Sequence, residues 1–492
     1  MFSNIVLSCS KSFEYPKDKY FRPSISYPEY PFKSHIASEP NDVYDAVREG
    51  FVMLGLDNEN FGKTHWNPLR DLIVPGDKVL IKPNMVMDEN KSGGGVECLY
   101  TQPSVVAAVI DYVIIALKGK GTIIVGDAPM QECNFDKLLE ESGYLSLLSF
   151  YKNILPKTIE IEIKDFRGLK SVRKNGINVS EVNNTPGKLI DLEEYSAFHN
   201  TKKEYLDNLR ITNYDPALLK MHHNQNKHEY LVSEDVIDCD VFINMPKPKT
   251  HRKGGVTISL KNIVGTCVRK EYLPHHSCGA KSDGGDEYLN HNLLRQIANQ
   301  FLDYRNYYMQ TKKCYSIAIF FKYLSSLFYY MSKSFTKEKF SEGSWYGNDT
   351  IARTIVDLNK ILFYTNKKGT LQEKPHRKYF IVADMIISGE KEGPVLPSPK
   401  KVGIIAMGSD PVCFDETILE LMGAKKEFIK TIKYAREFID NYPLTKRDTI
   451  PYILSNNKSW DKKQVNEIMP EDLLYFIPTS GWVNAFRKQH KS

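Results

Sequence analysis

The sequence has few cysteines and none of the spacings by which cysteines commonly hold a metal cluster. Eight cysteines are spread over 492 residues, and no two of them form a C-x-x-C pair. This pattern argues against a ferredoxin-type cluster, a zinc ribbon and a disulfide framework. We therefore expect no iron–sulfur cluster, and we expect a reducing compartment.

The sequence also lacks a leader pattern and a long uninterrupted apolar run. Its start, MFSNIVLSCSKS, has no basic segment followed by a long apolar core, and it is typical of a first strand. The longest apolar segment, Cys314–Phe335, contains Lys322 and several serines, so a membrane-spanning helix is not expected. We predict a cytoplasmic protein in which residues 314–335 form core packing or a homodimer contact. A peripheral membrane contact is the alternative.

Basic residues are in small excess over acidic ones in the whole chain, but one segment has no acidic residue at all. The formal net charge of +6 comes from 66 basic and 60 acidic residues, which does not indicate nucleic-acid binding. Between Met245 and Lys270 there are seven Lys or Arg and no Asp or Glu. A solvated surface normally mixes both signs, so this segment is the first candidate for a binding site.

Short apolar runs alternate with helical patterns along much of the chain. In the order strand, helix, strand, helix, strand they are DKVLIK, SVVAAVIDYVIIAL, GTIIVGDAP, FDKLLEESGY and KTIEIEI, and strand patterns return in CDVFINM, YFIVADMII and KVGIIAMG. This predicts an α/β fold with a mostly parallel sheet, flanking helices and a helical, aromatic-rich insertion. The predicted divisions are an N-terminal α/β lobe (1–170), a polar excursion with the cation-rich loop (171–287), a helical insertion (288–371), a C-terminal α/β return (372–425) and a tail (426–492).

Four loops that follow predicted strands carry polar residues or glycine: KPNMV, GDAPMQ, PKPKTH and SGEKEGPV. Ligands of open α/β sheets bind where the carboxyl ends of strands meet their loops. We expect one cationic pocket there, suited to phosphate or carboxylate. The predicted substrate-binding residues are Lys82, Asn84, Lys247, Lys249, Thr250, Asn262 and Arg353. The alternatives are a solvated loop for the lysines and a surface ion pair for Arg353, with Asp357 four residues further on.

Three residues are predicted to be catalytic: His251, Lys261 and Asp127. A histidine can transfer a proton near neutral pH, and a desolvated lysine can serve as a base or a covalent anchor. Lys261 lies within TISLKNIVG, an otherwise apolar segment, and Asp127 ends a predicted strand. The alternatives are a structural histidine and a carboxylate that caps the following turn.

His275 and His276 begin a segment rich in histidine and carboxylates, HHSCGAKSDGGDEYLNH. Imidazoles beside carboxylates are typical ligands of zinc, nickel or iron, so both are candidate ligands of a divalent metal. The spacing matches no recognised metal motif, and Gly284-Gly285 indicates a mobile loop. A loop that clasps the substrate is the favoured interpretation.

Several of these segments together resemble the family catalogued as domain of unknown function 362. They are GDKVLIKPNMV, TQPSVV, IIVGDAP, DVFINMPKPKTHRKGGVTISLKNIVG and GPV…GSDPVCFDETILELMG, over roughly residues 71 to 425. The segments LPHHSCG…GGDEY and WYGNDT resemble members associated with bacterial surface-polysaccharide gene clusters. Many members carry ferredoxin-type cysteine motifs, which this sequence lacks.

A weaker similarity is to the nickel-pincer lactate racemase family, which has the pattern H-x-x-x-G-x-S-G-G-x-K. Here HRKGGVTISLK gives His251 and Lys261 the same separation, but Ile258-Ser259 replaces the glycine pair. The arginine-proline substrate signature of that family is also missing. The similarity implies a proton-transfer role for His251 and a cofactor-anchoring role for Lys261.

The predicted pocket and the resemblances imply a bacterial enzyme acting on a small anionic substrate, such as a hydroxy acid, a sugar acid or a nucleotide-linked sugar. Isomerisation or epimerisation by proton transfer in surface-polysaccharide biosynthesis is the favoured activity. The alternatives are a non-catalytic anion- or cofactor-binding protein and a transferase of glycan assembly. The cofactor is left open, with a divalent metal as the candidate.

Overall fold

The computed structural model describes residues 3–18, 21–174, 177–336, 338, 340–437 and 441–488. The strands are β1 (Asn4–Cys9), β2 (Lys78–Pro83), β3 (Gly121–Asp127), β4 (Ile159–Asp165), β5 (Leu169–Lys174), β6 (Ile177–Val182), β7 (Gly187–Asp191), β8 (Leu209–Arg210), β9 (His223–Asn224), β10 (Lys227–Ser233), β11 (Val241–Met245), β12 (Lys249–His251), β13 (Gly255–Thr257), β14 (His276–Ser277), β15 (Lys378–Glu392), β16 (Leu396–Gly408), β17 (Tyr452–Ser455) and β18 (Lys463–Gln464).

The helices lie between these strands in chain order. They are α1 (Asp42–Met53), α2 (Pro103–Leu117), α3 (Phe135–Ser142), α4 (Tyr144–Ile154), α5 (Lys203–Asp207), α6 (Pro216–His222), α7 (Glu234–Asp238), α8 (Ser259–Asn262), α9 (Leu293–Gln310), α10 (Tyr315–Lys333), α11 (Thr350–Tyr364), α12 (Pro411–Met422) and α13 (Lys430–Glu437).

One large sheet forms the centre of the fold. Its strands run in the order β18-β17-β1-β16-β15-β11-β2-β3-β4, and β12 pairs with both β13 and β15. From β15 to β4 all neighbours are parallel, and β1 is parallel to β17. The strand β16 is antiparallel to both β15 and β1. The predicted fold class, α/β with a mostly parallel sheet and flanking helices, is confirmed.

The sheet is covered on both faces, which explains its nearly continuous apolar strands. Successive side chains of a strand point to opposite faces. In β2, Val79 and Ile81 belong to a core that includes residues of α1, α2 and α4. Leu80 belongs to the other core, with residues of α11 and α12. Two apolar layers therefore hold the strand ends of the parallel half rigidly in register.

Helix α12 shows how local sequence sets an element boundary. The side chain of Asp410 accepts hydrogen bonds from the backbone N–H groups of Val412 and Cys413, and Pro411 occupies the first turn. Both features are favoured at helix starts. The helix ends at Gly423, which adopts a left-handed φ of 76°. The segment DPVCFDETILELMG thus carries its own start and stop signals for this helix.

The predicted helical insertion consists of two unlike parts. Helices α9 and α10 pack against each other through aromatic rings, including Phe301 and Phe328 with centroids 5.5 Å apart. Helix α11 is instead buried in one core of the sheet through residues such as Ile355 and Leu358. Within the described ranges, no helix combines the length and apolar character needed to cross a membrane.

Candidate functional site

The loops at the carboxyl edge of the parallel strands surround a cavity of about 240 Å³. Because β2, β3 and β11 are parallel neighbours or near neighbours, their carboxyl ends lie at one edge of the sheet. Of the residues predicted from sequence, those that line the cavity are Asn84, Asp127, His251, Lys261, Asn262 and His275. The structure therefore brings together side chains from four separate segments of the chain.

His251 is held by backbone donors as a neutral imidazole. The backbone N–H groups of Lys253 and Gly254 donate to its Nδ1, at 3.1 and 3.3 Å. Nδ1 therefore acts as an acceptor, and the proton of the neutral ring lies on Nε2. Burial, followed by the charge of Lys261, lowers the pKa of His251 well below its ordinary value. This histidine offers an Nε2–H donor rather than a base.

Lys261 is a cation without a counter-charge. Among the residues that the structure describes, its ammonium has no hydrogen-bond or ion-pair partner, although the side chain is only partly exposed. Burial lowers its pKa to about 7, and the charges of Lys270, Lys82 and Lys253 act in the same direction. An amine of this kind is partly neutral near pH 7, as a general base requires.

Asp127 and Lys82 form a buried ion pair behind the cavity wall. Lys82 Nζ lies 2.6 Å from Asp127 Oδ1, and the ammonium also donates to the carbonyl of Pro83 at 2.9 Å. The carboxylate further accepts from the backbone N–H groups of Met85 at 2.5 Å and Ala128 at 2.8 Å. Burial raises the pKa of Asp127 and lowers that of Lys82, while their mutual attraction opposes both shifts. The pair joins the loops after β2 and β3.

Two glycines of the segment from Met245 to Lys270, Gly254 and Gly265, leave room for these charged side chains. A Cβ at Gly265 would overlap Asp127 Oδ1 and lie 2.8 Å from Lys82 Nζ. A Cβ at Gly254 would lie 3.2 Å from Cδ and 3.3 Å from Cε of Lys261. Neither glycine has a positive φ, so close approach, and not backbone conformation, explains both.

Asn84 is oriented by a lysine that does not itself line the cavity. Lys249 Nζ donates to Asn84 Oδ1 at 2.8 Å and to the carbonyl of Leu99 at 2.7 Å. Asn84 itself lines the cavity, and its Nδ2 group donates to no residue that the structure describes. Burial lowers the pKa of Lys249 to about 7. Asn262 is fixed in a similar way, because its Nδ2 donates to Asn244 Oδ1 at 2.7 Å.

Three further cations line the cavity and were not among the predicted site residues: Arg252, Lys253 and Lys270. Lys253 Nζ donates to the carbonyl of Glu342 at 2.7 Å, and burial lowers its pKa to about 8. Lys270 Nζ donates to the carbonyl of Ala128 at 3.2 Å. All three lie in the segment from Met245 to Lys270 that has no acidic residue, and this absence was the sequence feature that could have identified them. The sequence did not show which of its lysines face inward.

The other predicted substrate-binding residues lie outside the cavity lining. Lys247 is completely buried and forms an ion pair with Asp384 at 2.9 Å, so the solvated alternative is wrong for it. Thr250 Oγ1 donates to the carbonyl of Lys391 at 2.8 Å. Arg353 pairs with Asp349, the residue that precedes α11, at 2.7 Å. The expected neighbour Asp357 is instead buried and accepts from Ser196 and Tyr230.

The two candidate metal-ligating histidines differ in position. His275 lines the cavity, and its Nδ1 lies 2.7 Å from the carbonyl of Leu273, which makes Nδ1 the donor and Nε2 the acceptor. His276 lies outside the lining, and its Nδ1 is buried without a hydrogen-bond partner. Burial lowers the pKa of both rings well below the ordinary value. In the described part of the chain, no group of three or more His, Cys, Asp or Glu is arranged to hold a metal ion.

Comparison with known proteins gives one family match and one curated relative. The sequence model of the family described as "Domain of unknown function (DUF362)" matches residues 79–177 and 195–420. The "Thylakoid-associated protein sll1697" of Synechocystis sp. (strain ATCC 27184 / PCC 6803 / Kazusa) is 27% identical over 198 residues, which are 40% of this chain and 41% of that protein. The chain thus aligns with less than half of that relative's length. No solved structure is significantly similar to the chain.

Proposed function

We propose that this chain, which belongs to the family described as domain of unknown function (DUF362), is an enzyme for a small anionic substrate. The substrate would bind in the cavity at the carboxyl edge of the sheet. The proposed reaction is a proton transfer, as in the isomerisation or epimerisation of a hydroxy acid, a sugar acid or a nucleotide-linked sugar. The resemblance to members from polysaccharide gene clusters supports surface-polysaccharide biosynthesis in the bacterial cytoplasm as the setting.

The unpaired ammonium of Lys261 is the observation that carries this proposal. Four cations line the cavity, and one of its two carboxylates, Asp127, is already paired with Lys82. The other, Glu132, is exposed. Buried charge is costly unless it is compensated, and an anionic ligand would supply the missing compensation. Bound phosphate or carboxylate would therefore raise the pKa of Lys261 from about 7.

We assign different tasks to the two central residues. In the fraction of complexes in which Lys261 is neutral, a fraction that increases with pH, its amine would take a proton from a carbon beside a carbonyl or carboxylate group. The electron pair of the broken C–H bond would move to the carbonyl oxygen, where His251 Nε2–H could donate a hydrogen bond. If the planar intermediate turns over in the cavity, return of the proton from Lys261 to the opposite face of the same carbon inverts it. Return of the proton to a neighbouring carbon isomerises the substrate. His251 thus acts as a donor, while Lys261 moves the proton.

The remaining residues bind and position. Lys253, Lys270 and the Nδ2 group of Asn84 would contact the anionic group of the substrate. Asp127 has hydrogen-bond donors on both carboxylate oxygens. We therefore assign it, with Lys82, to holding the loops after β2 and β3 in place, as a positioning residue.

The same cavity is compatible with functions of other classes. A non-catalytic anion- or cofactor-binding protein would need the cations and not the neutral amine of Lys261. The similarity to nickel-pincer racemases supports a cofactor-dependent function in which Lys261 anchors the cofactor. In that function His275 is the candidate metal ligand. A transferase of glycan assembly would use the cations for a nucleotide-linked sugar. The name of the relative from Synechocystis supports a membrane-associated setting.

Ligand binding is tested first, by thermal unfolding with phosphate, sulfate and small carboxylates. A ligand that binds only the folded state raises Tm. We expect such a rise in the wild type, a smaller one in Lys261→Met, and an unchanged one in Lys426→Met, whose lysine is exposed. Because binding protonates Lys261, the rise should weaken as pH increases above 7. A wild type that no anion stabilises would overturn the site itself.

Catalysis is tested by exchange of substrate hydrogen in deuterated water. Hydroxy acids, sugar acids and nucleotide-linked sugars that stabilise the protein are incubated with it, and deuterium at carbon is measured by mass spectrometry. We expect exchange that Lys261→Met abolishes and that His251→Asn slows by about 10²- to 10³-fold, with anion stabilisation retained in the latter. Stabilisation without exchange for every ligand would favour the binding protein over the enzyme.

A further inference from the structure

The hairpin of α9 and α10 exposes an apolar and aromatic stripe to solvent. Phe320, Tyr323, Leu327 and Tyr330 of α10 are 59, 70, 54 and 75% exposed, respectively. Their spacing of three or four residues places them on one face of the helix over about three turns. Single exposed apolar residues are ordinary, but a continuous stripe of them marks an interaction surface.

Other residues of α10 contact the rest of the protein. On one side, Phe321 and Phe328 pack against Phe301 of α9, with ring centroids 6.0 and 5.5 Å apart. The polar residues of the helix line a cavity of about 270 Å³ beneath the hairpin: Lys322, Ser325, Ser326 and Tyr329. A helix on a water-facing surface normally has its polar side outside and its apolar side inward. In α10 the half-buried Ser325 and Tyr329 face this cavity, whereas the aromatic stripe faces outward.

The charge of the hairpin has one sign over a long stretch. Residues 304–337 contain no Asp or Glu and six basic residues: Arg305, Lys312, Lys313, Lys322, Lys333 and Lys337. Lys333 Nζ lies 5.8 Å from the centroid of the Tyr330 ring, so a cation borders the aromatic stripe directly. Basic residues beside exposed Phe, Tyr and Leu are the composition of helices that lie on anionic membranes.

We propose that α10 docks this protein on the surface of a membrane rich in anionic lipids. The helix would lie in the plane of the interface, with the aromatic stripe among the acyl chains and Lys333, which borders the stripe, near the lipid phosphates. A second copy of the chain is the competing occupant of the stripe. In a two-fold dimer the same positive surface would face itself, which repulsion disfavours. This inference is independent of the chemistry in the cavity at the sheet edge.

The test is vesicle flotation of the full chain. Vesicles of phosphatidylcholine alone are compared with vesicles that also contain phosphatidylglycerol, at low and high salt. We expect capture by the anionic vesicles that high salt weakens. The triple variant Phe320→Ser/Tyr323→Ser/Leu327→Ser should lower the capture by about tenfold or more, because it removes the apolar area that enters the membrane.

A matched variant separates the stripe from general surface hydrophobicity. Val74→Ser/Leu145→Ser/Ile450→Ser changes three residues that are 47, 44 and 51% exposed elsewhere, and it should float like the wild type. Equal Tm values for both variants would show that folding is intact. Absence of capture by anionic vesicles, or equal capture of both variants, would overturn the proposal. A wild-type dimer that the stripe variant converts to a monomer would assign the stripe to a second copy instead.

Discussion

Lys82 and Asp127 form an ion pair, with Nζ and Oδ1 2.6 Å apart, in which neither side chain is more than 2% exposed. Asp127→Asn leaves the ammonium of Lys82 buried without a counter-charge, and we expect a loss of about 3 to 5 kcal/mol in the free energy of unfolding. Urea denaturation measures this loss. Asp71→Asn, at an exposed carboxylate, should change stability by less than about 0.5 kcal/mol.

The double variant Lys82→Met/Asp127→Leu identifies the cause of that loss. Replacing both members of a buried pair with apolar residues is often neutral, whereas removal of one is strongly destabilising. We therefore expect the double variant to recover much of the stability lost in Asp127→Asn. An equal or larger loss would place the destabilisation in the hydrogen bonds from Met85 and Ala128, and not in the ion pair.

Gly265→Ala tests whether close approach to the ion pair requires this glycine. The added Cβ would overlap Asp127 Oδ1, so the carboxylate or the loop must shift. We expect a loss of roughly 1 to 3 kcal/mol in the free energy of unfolding, as for other overpacked interior sites. In an Asp127→Ala background the effect of Gly265→Ala should shrink, since the overlapping oxygen is gone. Additive losses would contradict the proposed contact.

The stability of the protein should rise with pH above neutrality because of its buried lysines. Burial lowers the pKa of Lys261 to about 7 and that of Lys253 to about 8, whereas an unfolded lysine titrates near about 10.4. Between these values the unfolded chain binds more protons, so unfolding becomes less favourable as pH rises. Lys261→Met should accordingly be more stable than the wild type at pH 6, by roughly 1 to 3 kcal/mol, and equal to it by about pH 10.

Urea denaturation of both proteins across this pH range checks the prediction, with Lys426→Met as the exposed control. Lower stability of Lys261→Met at pH 6 would mean that the ammonium is stabilised by a charge partner. The same experiment in saturating phosphate should reverse the order of the two proteins, because the anion compensates the charge of Lys261.

In the folded protein near neutral pH, the neutral ring of His251 should carry its proton on Nε2. The donors Lys253 N–H and Gly254 N–H occupy Nδ1, so the imidazolium form would break both hydrogen bonds. Nitrogen-15 NMR of histidine-labelled protein, assigned by comparison with His251→Asn, reports the tautomer directly. We expect a ring that stays neutral, with protonated Nε2, through the pH range in which an ordinary histidine titrates, because burial lowers its pKa. A ring that titrates near its ordinary pKa would remove the donor role assigned to it.

Much of the fold could be predicted from the sequence because the strands of a buried parallel sheet are apolar throughout. DKVLIK, GTIIVGD and CDVFINM all form strands of the parallel half. The rule that ligands bind at the carboxyl ends of strands predicted that Lys82, Asp127, His251 and Lys261 would line one pocket; the last three line the cavity, and Lys82 lies behind its wall. These predictions depend on local pattern and on a general property of parallel sheets. Neither requires knowledge of which distant residues are in contact.

The parts of the site that sequence did not predict depend on contacts between distant segments. Lys247 is separated from its partner Asp384 by 137 residues, and nothing local distinguishes it from Lys253, which faces the cavity. Arg353 could pair in either direction along α11, and its choice of Asp349 follows from the burial of Asp357. For α10, helical spacing predicted an aromatic face but not whether the core would cover it.

Strand β1 is the first strand of the central sheet to be synthesised. The two strands that pair with it, β16 and β17, are synthesised near the end of the chain. Leu7 pairs with Ala406 of β16 on one side and with Ser455 of β17 on the other. On the ribosome, β2, β3 and β4 can associate with one another long before either partner of β1 exists. Contacts of such long range form slowly, and apolar strands that wait unpaired promote association between chains. The N-terminal strand is therefore the segment of this sheet for which a chaperone would matter most during translation.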